Sequence, residues 1–443
     1  MSDLLITGAV VWNDREAGDP REPRPGEPAD LLIQGGVITQ FGRVDAPPGI
    51  RHIDADGLSL LPGFVDLHTH LREPGREDTE TIASGSAAAA AGGFTAVLAM
   101  ANTSPVTDTA EAAELLYDRG RTVGLVDVIP VGAVTKGLGG EELAELGLMA
   151  RSRARVRLFS DDGLCVQDAR VMRRALEYLK PFDGVISQHA QDASLAGAGA
   201  CCHEGEISGR LGLPGWPGVA ESVIVARDVH LARHTDSRVH IAHVSSAESV
   251  EIIRWAKDRG IKVTAEVTPH HLALGTELVA SYDPTFKVNP PLRPSEDQEA
   301  LRNALADGTI DAVATDHAPH ARHDKEHAFE AAAFGMLGLE TAFSVVHDMM
   351  VKTGRMTMIH LTRRMSRNPA RIAGLDGHGR GIGVGRPANL VLVDPQRVVT
   401  VDRAASNSLS RNNPWHGLSF KGAVHATILR GEVTAIDGKV QHP

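Results

Sequence analysis

The sequence predicts a (β/α)8 TIM-like barrel, which is a ring of eight parallel strands, together with a small β-sandwich formed from both chain ends. Two observations predict this fold. Between residues 61 and 373, short β-branched segments alternate with helical segments, as expected of a parallel sheet covered by helices. At both chain ends, short strands are separated by glycine turns and no helical period appears. We therefore expect three regions, residues 1–60, 61–373 and 374–443.

Length and composition favour a folded globular protein and argue against two classes of partner. The 443 residues are 42% hydrophobic and 23% charged, which is enough for a large buried core. The net charge of −11 repels nucleic-acid phosphates and anionic lipid, so we expect no nucleic-acid or membrane partner. No secretory leader is recognised, and no run of about 18 apolar residues predicts a membrane span.

Cysteine usage indicates a reducing compartment. The only three cysteines are Cys165, Cys201 and Cys202, and two of them are adjacent, so no disulfide framework is possible. We expect a cytoplasmic protein.

The chain ends supply the strands of the predicted sandwich. The segments LLITGAVVW and DLLIQGGVITQFG alternate in period two, with Gly35-Gly36 as a hairpin turn. Near the other end, residues 388–394 and 422–438 again resemble strands. We expect these later strands to pair with the N-terminal ones.

Eight strand-like segments make up the predicted barrel, and helices separate several of them. A doubly wound sheet would have fewer strands and a glycine-rich phosphate loop. Three helical segments end at glycines, namely 78–93 at Gly92-Gly93, 246–260 at Gly260 and 295–308 at Gly308. Residues 190–217 and 316–335 lack periodicity, so they are either substrate-contacting loops or surface excursions. The predicted strands are 63–67, 94–99, 123–131, 155–160, 184–189, 238–243, 261–267 and 310–315.

The carboxyl ends of these strands carry the residues that point to chemistry, because active sites of such barrels lie there. Five strand ends carry histidine or aspartate, and His68 and His70 project to the same face of an extended segment. Four imidazoles and at least two carboxylates exceed what one tetrahedral ion needs, so the pattern predicts two metal ions with a shared bridging group. The candidate ligands are His68, His70, Asp161 or Asp162, His189, His243 and Asp316.

A single histidine at a strand end is more often a hydrogen-bonded core or loop residue than a ligand. The agreement of five strand ends is what favours the metal hypothesis. The remaining conspicuous residues carry no such support, and we expect supporting, loop or surface roles for His203, His270, His271, His317 and His323, and none for Cys201 or Cys202.

Eight segments in order along the barrel carry a resemblance to a known family. They are PGFVDLHTHLREPG (62–75), AMANTSP (99–105), FSDDG (159–163), HVSSAESV (243–250), TPHHL (268–272), KVNPPLR (287–293), ATDHAPH (314–320) and FGMLGLETA (334–342). The chain resembles the metal-dependent cyclic amidohydrolases and, within them, the bacterial class I dihydroorotases. HLREPG together with TDHAPH is the most specific pair.

The resemblance implies two zinc ions per chain and assigns their ligands. His68, His70 and Asp316 hold one ion, His189 and His243 hold the other, and Asp162 bridges them. The family's spacing favours Asp162 over Asp161. Many relatives bridge their metals with a carboxylated lysine near the fourth strand, but no lysine lies between Lys136 and Lys180 here. This absence argues against the hydantoinase branch.

The resemblance also implies the activity, which is the reversible, zinc-dependent cyclisation of N-carbamoyl-L-aspartate to L-dihydroorotate in de novo pyrimidine biosynthesis. Asp316 would be the catalytic acid and base. Substrate-binding roles fall on Arg72, Asn102 and His320 for the carboxylate, and on Asn289 and the backbone around Phe334 and Gly335 for the ring amides. A purely structural alternative for Arg72 is an ion pair with Glu73 or Glu77.

Two departures from the family pattern stand beside the site. Ala101 takes the place of a proline, and Ala190-Gln191-Asp192 follows His189 where a Glu-Asp pair is usual. Two other functions stay open at this point. One is a hydantoinase or allantoinase, and the other is a non-catalytic dihydroorotase-like partner of aspartate transcarbamoylase. The resemblance also suggests a homodimer and an association with that enzyme.

Overall fold

The computed structural model describes residues 3–13, 24–44 and 48–441. The described residues of the N-terminal region form five strands. Buried and less buried residues largely alternate in the first strand, whereas the second buries Leu31, Leu32 and Ile33 in succession. The five strands are β1 (Leu4–Val11), β2 (Pro28–Gln34), β3 (Val37–Gly42), β4 (Arg51–Asp54) and β5 (Ser59–Pro62).

Eight parallel strands form a closed barrel in the middle of the chain. Two ladders, β6-β7-β8 and β9-β10-β13-β14-β15, are joined by bridges between Gly132 and Phe159 and between Thr69 and His317. The ring thus closes, and all eight predicted barrel strands are confirmed. The strands are β6 (Phe64–Thr69), β7 (Phe94–Ala99), β8 (Asp127–Pro130), β9 (Leu158–Phe159), β10 (Val185–Gln188), β13 (Arg238–Ile241), β14 (Val263–Val267) and β15 (Ala312–Val313), while β11 (Cys202–His203) and β12 (Gly215–Trp216) lie in an excursion.

Helices cover the outside of the barrel, and their ends follow local sequence signals. Ser246 caps the helix that follows β13 by accepting a hydrogen bond from the Ser249 amide, and Gly308 ends another with φ of 96°. The helices are α1 (Ile82–Ala91), α2 (Ala110–Val123), α3 (Leu146–Arg151), α4 (Ala169–Leu179), α5 (Ala193–Ala196), α6 (Glu206–Leu211), α7 (Val219–Thr235), α8 (Ala247–Asp258), α9 (Pro269–Ala273), α10 (Ser295–Asp307), α11 (Arg322–Lys325), α12 (Ala342–Val346), α13 (Met358–Thr362) and α14 (Asn368–Ala373).

The strands of both chain ends form one nine-stranded sheet beside the barrel. The C-terminal strands are β16 (Leu390–Thr400), β17 (Ser419–Leu429), β18 (Glu432–Ile436) and β19 (Lys439–Val440), and β16 pairs with β5. The sheet curls back on itself, since a side chain added at Gly431 between β17 and β18 would come within 2.9 Å of Ile33 on β2. The expected sandwich of both chain ends is confirmed.

Some predicted bounds need correction. The strand predicted at 123–131 begins later, because α2 continues to Val123 and ends at Gly124, whose φ of 70° is left-handed. The segment 190–217 is also not a bare loop. It contains α5, α6 and the parallel pair β11 and β12, in which Cys202 pairs with Gly215. These elements are too short for sequence periodicity to reveal.

Candidate metal centre and active site

Six side chains meet at the carboxyl end of the barrel, and all six are buried. The end of β6 carries His68 and His70, and the other four follow β9, β10, β13 and β15. The structure therefore brings together every metal ligand that the sequence predicts, which are His68, His70, Asp162, His189, His243 and Asp316.

Asp162 lies at the centre of this cluster and touches all four imidazoles. Its Oδ1 atom is 3.2 Å from His68 Nε2, 3.4 Å from His189 Nδ1 and 3.3 Å from His243 Nε2. Its Oδ2 atom is 3.4 Å from His70 Nε2. One carboxylate thus faces both halves of the cluster, which is the position a bridging ligand needs.

The neighbouring Asp161 points elsewhere. Its carboxylate accepts hydrogen bonds from the amides of Val134 (2.8 Å) and Thr135 (3.0 Å) and from the Thr135 hydroxyl. These contacts tie the end of β9 to the segment after β8. Of the two adjacent aspartates, only Asp162 belongs to the cluster.

Asp316 closes the other side of the cluster. Its Oδ1 atom lies 3.2 Å from His70 Nε2 and 3.6 Å from His68 Nε2. Two groups of three close ligand atoms result, and His68 belongs to both. They are His68, Asp162 and His243, and His68, His70 and Asp316.

The charges of these groups depend on one another. Burial alone would raise the pKa of Asp162, but His68, His189 and His243 hold it well below its ordinary value. Burial likewise opposes ionisation of His68, yet Asp162 raises the pKa of that imidazole well above its ordinary value. In Asp316, the hydrogen bond to His70 and the charge of His68 outweigh burial and lower the pKa. The carboxylates are therefore anions at neutral pH.

These residues fit divalent metal ions. Ligand atoms on one zinc ion, each about 2.0–2.2 Å from it, lie about 3.3–3.6 Å apart in a tetrahedral arrangement. The carboxylate and imidazole atoms of the cluster lie 3.2–3.6 Å apart. In addition, the buried Nε2 of His68, which faces the cluster, has no hydrogen-bond partner among the described residues. Imidazole and carboxylate donors at these separations suit zinc and other divalent ions.

Three of the imidazoles are oriented by a second polar side chain. His68 Nδ1 donates to Glu266 Oε1 (3.1 Å), and His70 Nδ1 donates to Asn102 Oδ1 (2.9 Å). His189 Nε2 donates to Gln191 Oε1 (2.9 Å). Because a neutral imidazole carries one N–H, each bond leaves the other nitrogen free to bind a metal.

The backbone is strained at three residues of the site. Arg72, His243 and Asp316 have φ of 60°, 29° and 46°, in the left-handed region that side chains other than glycine rarely adopt. Such strain concentrates at functional sites and persists only where neighbours hold it. Glu221 supplies one restraint, since it accepts hydrogen bonds from the amides of Ser245 and Ser246, just after His243.

Arg72 and His320 lie together beside the cluster. Arg72 Nη2 is 3.4 Å from His320 Nε2, and its Nε donates to the Pro319 carbonyl. Glu73 instead pairs with Arg119 at 2.6 Å. Glu77 accepts hydrogen bonds from the Gly75 amide, so the expected alternative of an ion pair with Arg72 is not what the structure has.

The remaining substrate-binding candidates lie on two facing loops. Asn289 donates to Gln191 Oε1 at 2.9 Å, and its own Oδ1 is buried with no partner in the described part of the chain. The Phe334 ring packs against Lys287, whose Nζ lies 4.2 Å from the ring centre. The Gly335 amide already donates to the Lys287 carbonyl (2.9 Å), and the Gly335 carbonyl accepts from Asn412 Nδ2 (3.1 Å). A carbonyl oxygen has two lone pairs, so a ring N–H could bind only to the second lone pair of this oxygen.

Most of the histidines set aside by the sequence analysis have structural partners. His317 Nε2 is 3.3 Å from Glu80 Oε2, His271 Nε2 donates to the Pro290 carbonyl, and His203 contacts Arg293. His323 is exposed. His270 differs, because its buried Nε2 has no partner within residues 3–13, 24–44 and 48–441.

Sequence reasoning missed Glu266, His240 and the role of Gln191. Glu266 Oε2 lies 3.1 Å from His240 Nε2, so this carboxylate links His240 to His68 deep in the barrel. The sequence did contain one signal, because Glu266 is a charged residue within the strand segment TAEV. A charged side chain that is buried in a strand needs a polar partner.

Comparisons with known proteins agree with the fold and the motifs. A family model described as dihydro-orotase-like matches residues 57–249. The chain is 56% identical over 440 residues to a dihydroorotase of Streptomyces coelicolor, covering 99% of this chain and 100% of the relative. It is 56% identical over 417 residues to a dihydroorotase of Mycobacterium tuberculosis, covering 94% and 97%.

Solved structures with the same fold are also similar along their whole length. An L-hydantoinase (dihydropyrimidinase) from Arthrobacter aurescens gives a TM-score of 0.87 at 25% identity, covering 100% of this chain and 98% of that one. A dihydropyrimidinase from Brevibacillus agri gives 0.84 at 22% identity, covering 99% and 96%.

The barrel, the sandwich and the cluster at the barrel mouth define a cyclic amidohydrolase. The close relatives narrow this class further. The chain belongs to the dihydroorotase family, which confirms the expectation from its motifs. The hydantoinases share the fold at much lower identity.

Proposed function

We propose that this chain is a two-zinc dihydroorotase that interconverts N-carbamoyl-L-aspartate and L-dihydroorotate. Ring closure would be the direction used in de novo pyrimidine biosynthesis. The observation that carries the proposal is the position of Asp162, whose two oxygens touch all four imidazoles. An anion in this place does the work for which many relatives use a carboxylated lysine.

The ligands divide between two ions. His68, His70 and Asp316 would hold one ion, His189 and His243 would hold the other, and Asp162 would be a ligand of both. When bound, the paired ions lower the pKa of a water molecule and polarise the carbonyl group of the substrate. In the neutral imidazoles, Glu266, Asn102 and Gln191 hold the proton on the nitrogen that faces away from the cluster, so the other nitrogen is available to a metal ion.

Asp316 is the group that moves the proton. In the hydrolytic direction, its carboxylate takes a proton from the attacking water and delivers it to the departing ring nitrogen. A base must be ionised to begin, and the lowered pKa of Asp316 provides that state. Opening the ring creates a carboxylate and releases a proton, so a lower pH shifts the equilibrium towards the closed ring.

Three side chains would hold the substrate carboxylate. Arg72 offers a planar cationic fork and His320 lies against it at 3.4 Å. Asn102 contributes its amide group, since Oδ1 is occupied by His70 while Nδ2 makes only a long contact of 3.4 Å to the Asp162 carbonyl. Asn289 Oδ1, which has no partner in the described structure, would be the main acceptor for a ring N–H group. The Gly335 carbonyl would be a second acceptor through its remaining lone pair, since it already accepts from Asn412 Nδ2.

Metal analysis and a substrate panel test the proposal. Purified protein should contain about two zinc equivalents, hydrolyse dihydroorotate and close N-carbamoyl-L-aspartate, with an equilibrium that shifts towards the closed ring at lower pH. Asp316→Asn should lose turnover by at least about a thousandfold. Activity on hydantoin or allantoin alone would replace this function with another amidohydrolase. A chain that binds no zinc and turns over none of the three would point to a non-catalytic partner.

The assembly and location of the protein are part of the proposal. We expect a homodimer, measured by light scattering, and an association with aspartate transcarbamoylase, measured by mixing the two purified proteins. We also expect a cytoplasmic location. All three cysteines are free, in keeping with a reducing compartment. Among the described residues, no helix combines the length and apolarity needed to span a bilayer.

A further inference from the structure

Gln191 connects a candidate metal ligand to a candidate substrate-binding residue. Its Oε1 atom accepts two hydrogen bonds, one from His189 Nε2 and one from Asn289 Nδ2, each at 2.9 Å. His189 follows β10, whereas Asn289 lies about a hundred residues later, in the segment between α9 and α10. One amide oxygen therefore joins two parts of the site that the chain keeps far apart.

The backbone around Gln191 is itself held in place. The Gln191 carbonyl accepts a hydrogen bond from Gln167 Nε2 (2.8 Å), and the Asp192 amide donates to the Ala220 carbonyl (2.8 Å). Asp192 also caps α5 by accepting from the Ser194 and Leu195 amides. These hydrogen bonds fix the backbone from which the side chain of Gln191 extends.

The bond to His189 decides which nitrogen of that imidazole faces the cluster. An amide oxygen only accepts, so the imidazole must carry its proton on Nε2. In the neutral imidazole Nδ1 is then unprotonated, and this atom lies 3.4 Å from Asp162 Oδ1 and 3.0 Å from His243 Nε2. This is the tautomer that a metal ion requires of a ligand.

The bond to Asn289 decides which end of that amide faces the substrate. Because Nδ2 donates to Gln191, Oδ1 is turned the other way, where it is buried without a partner in the described structure. A buried acceptor that lacks a donor is costly, and the ring N–H of a cyclic amide supplies one. The opposite orientation of the Asn289 amide would place Oδ1 against Gln191 Oε1 and the Nδ2–H group against the N–H of the ring.

We propose that Gln191 is a positioning residue that fixes the tautomer of His189 and the amide orientation of Asn289 with a single oxygen atom. The inference rests on the proposed metal and substrate roles of those two residues. Hydrogen-bond acceptance is the property it requires. A glutamate, which has the same length and also accepts hydrogen bonds, should therefore preserve the function of Gln191. An apolar side chain of the same length should not.

Two variants separate acceptance from mere packing. Gln191→Met keeps the length of the side chain and removes both bonds, and Gln191→Glu keeps an acceptor for both. Gln298→Met is a matched control, because Gln298 is a buried glutamine on α10 that makes two hydrogen bonds to Arg293 and Arg302. Zinc affinity is measured by competition with a chromophoric chelator, and kcat and KM with dihydroorotate.

Gln191→Met should weaken binding of one zinc equivalent by about tenfold to a hundredfold and raise KM at least tenfold. Gln191→Glu should stay within about threefold of the wild type in both, as should Gln298→Met. Unchanged zinc affinity and KM in Gln191→Met overturn the inference, and so does a Gln191→Glu protein that behaves like Gln191→Met. If the wild-type protein binds zinc but does not turn over dihydroorotate, the proposed function is wrong. The zinc titration of the variants still tests whether Gln191 fixes the tautomer of His189.

Discussion

The carboxylate of Glu266 lies 3.1 Å from Nδ1 of His68 and fixes the orientation of the imidazole that faces both halves of the cluster. The second oxygen of Glu266 is 3.1 Å from His240 Nε2, and His240 Nδ1 is 2.8 Å from the Thr264 hydroxyl. This chain of polar groups crosses from β14 to β13 inside the barrel. A buried carboxylate behind a ligating histidine raises its basicity and holds its tautomer.

Glu266→Gln should weaken metal binding without unfolding the protein. The amide keeps the shape of the side chain but loses the negative charge that supports His68, so we expect zinc affinity and kcat to fall about tenfold to a hundredfold. Chelator competition and steady-state kinetics measure both. Glu340→Gln is the control, because Glu340 also accepts hydrogen bonds from the chain but lies outside the cluster. Equal losses in the two variants would contradict a specific role for Glu266.

The same carboxylate should make the metal-free protein sensitive to acid. Burial would raise the pKa of Glu266, but His240 and His68 lower it from 4.5 to about 2. Because the pKa in the folded state lies below that in the unfolded state, the stability that ionised Glu266 adds is present above about pH 4.5. This stability is lost as pH falls towards 2, and the shift corresponds to about 3 kcal/mol.

Urea unfolding of chelator-treated protein between pH 7 and pH 3 measures this effect. The free energy of unfolding of the wild type should exceed that of Glu266→Gln by about 3 kcal/mol at pH 6 to 7. The difference should shrink below pH 4.5. A difference that stays constant down to pH 3 would show that Glu266 does not titrate as the structure implies.

The six clustered side chains could be predicted from the sequence because each ends or follows a barrel strand, and strand ends meet by topology alone. Glu266 and His240 could not, because they lie inside β14 and β13. Their contact depends on the register that places Val239 opposite Val263. Gln191 was visible only as a departure from a family pattern. Of its two bonds, the one to Asn289 depends on a loop nearly a hundred residues away, which no local pattern encodes.

Asp161 and Asp162 are adjacent, yet their substitution should have different consequences. Asp162→Asn removes the anion that touches four imidazoles, so bound zinc should fall below about one equivalent and turnover should be lost. Asp161→Asn weakens the hydrogen bonds to Val134 and Thr135, so Tm should fall by a few degrees while both zinc ions stay bound. Zinc analysis and thermal unfolding of both variants check this. Loss of zinc in Asp161→Asn alone would reverse the two roles.

Only glycine fits at position 335, because a larger residue there would collide with a candidate substrate-binding side chain. The φ of Gly335 is 133°, and an added Cβ would come within 2.7 Å of Ala318 Cβ and 2.9 Å of His320 Nε2. That nitrogen contacts Arg72 at 3.4 Å, so Gly335→Ala should push the imidazole away from the fork that holds the carboxylate. We expect KM for dihydroorotate to rise at least about tenfold, with a smaller fall in kcat.

Gly354→Ala is the matched control for this last variant. Gly354 also has a positive φ, 76°, but an added Cβ there meets nothing within 4 Å. Both substitutions carry a backbone cost of about 1–2 kcal/mol, whereas only Gly335→Ala crowds His320. Thermal unfolding should therefore show a loss of stability in both variants, and kinetics should show a raised KM in Gly335→Ala alone. A raised KM in Gly354→Ala, or an unchanged KM in Gly335→Ala, would break the link between this glycine and the carboxylate site.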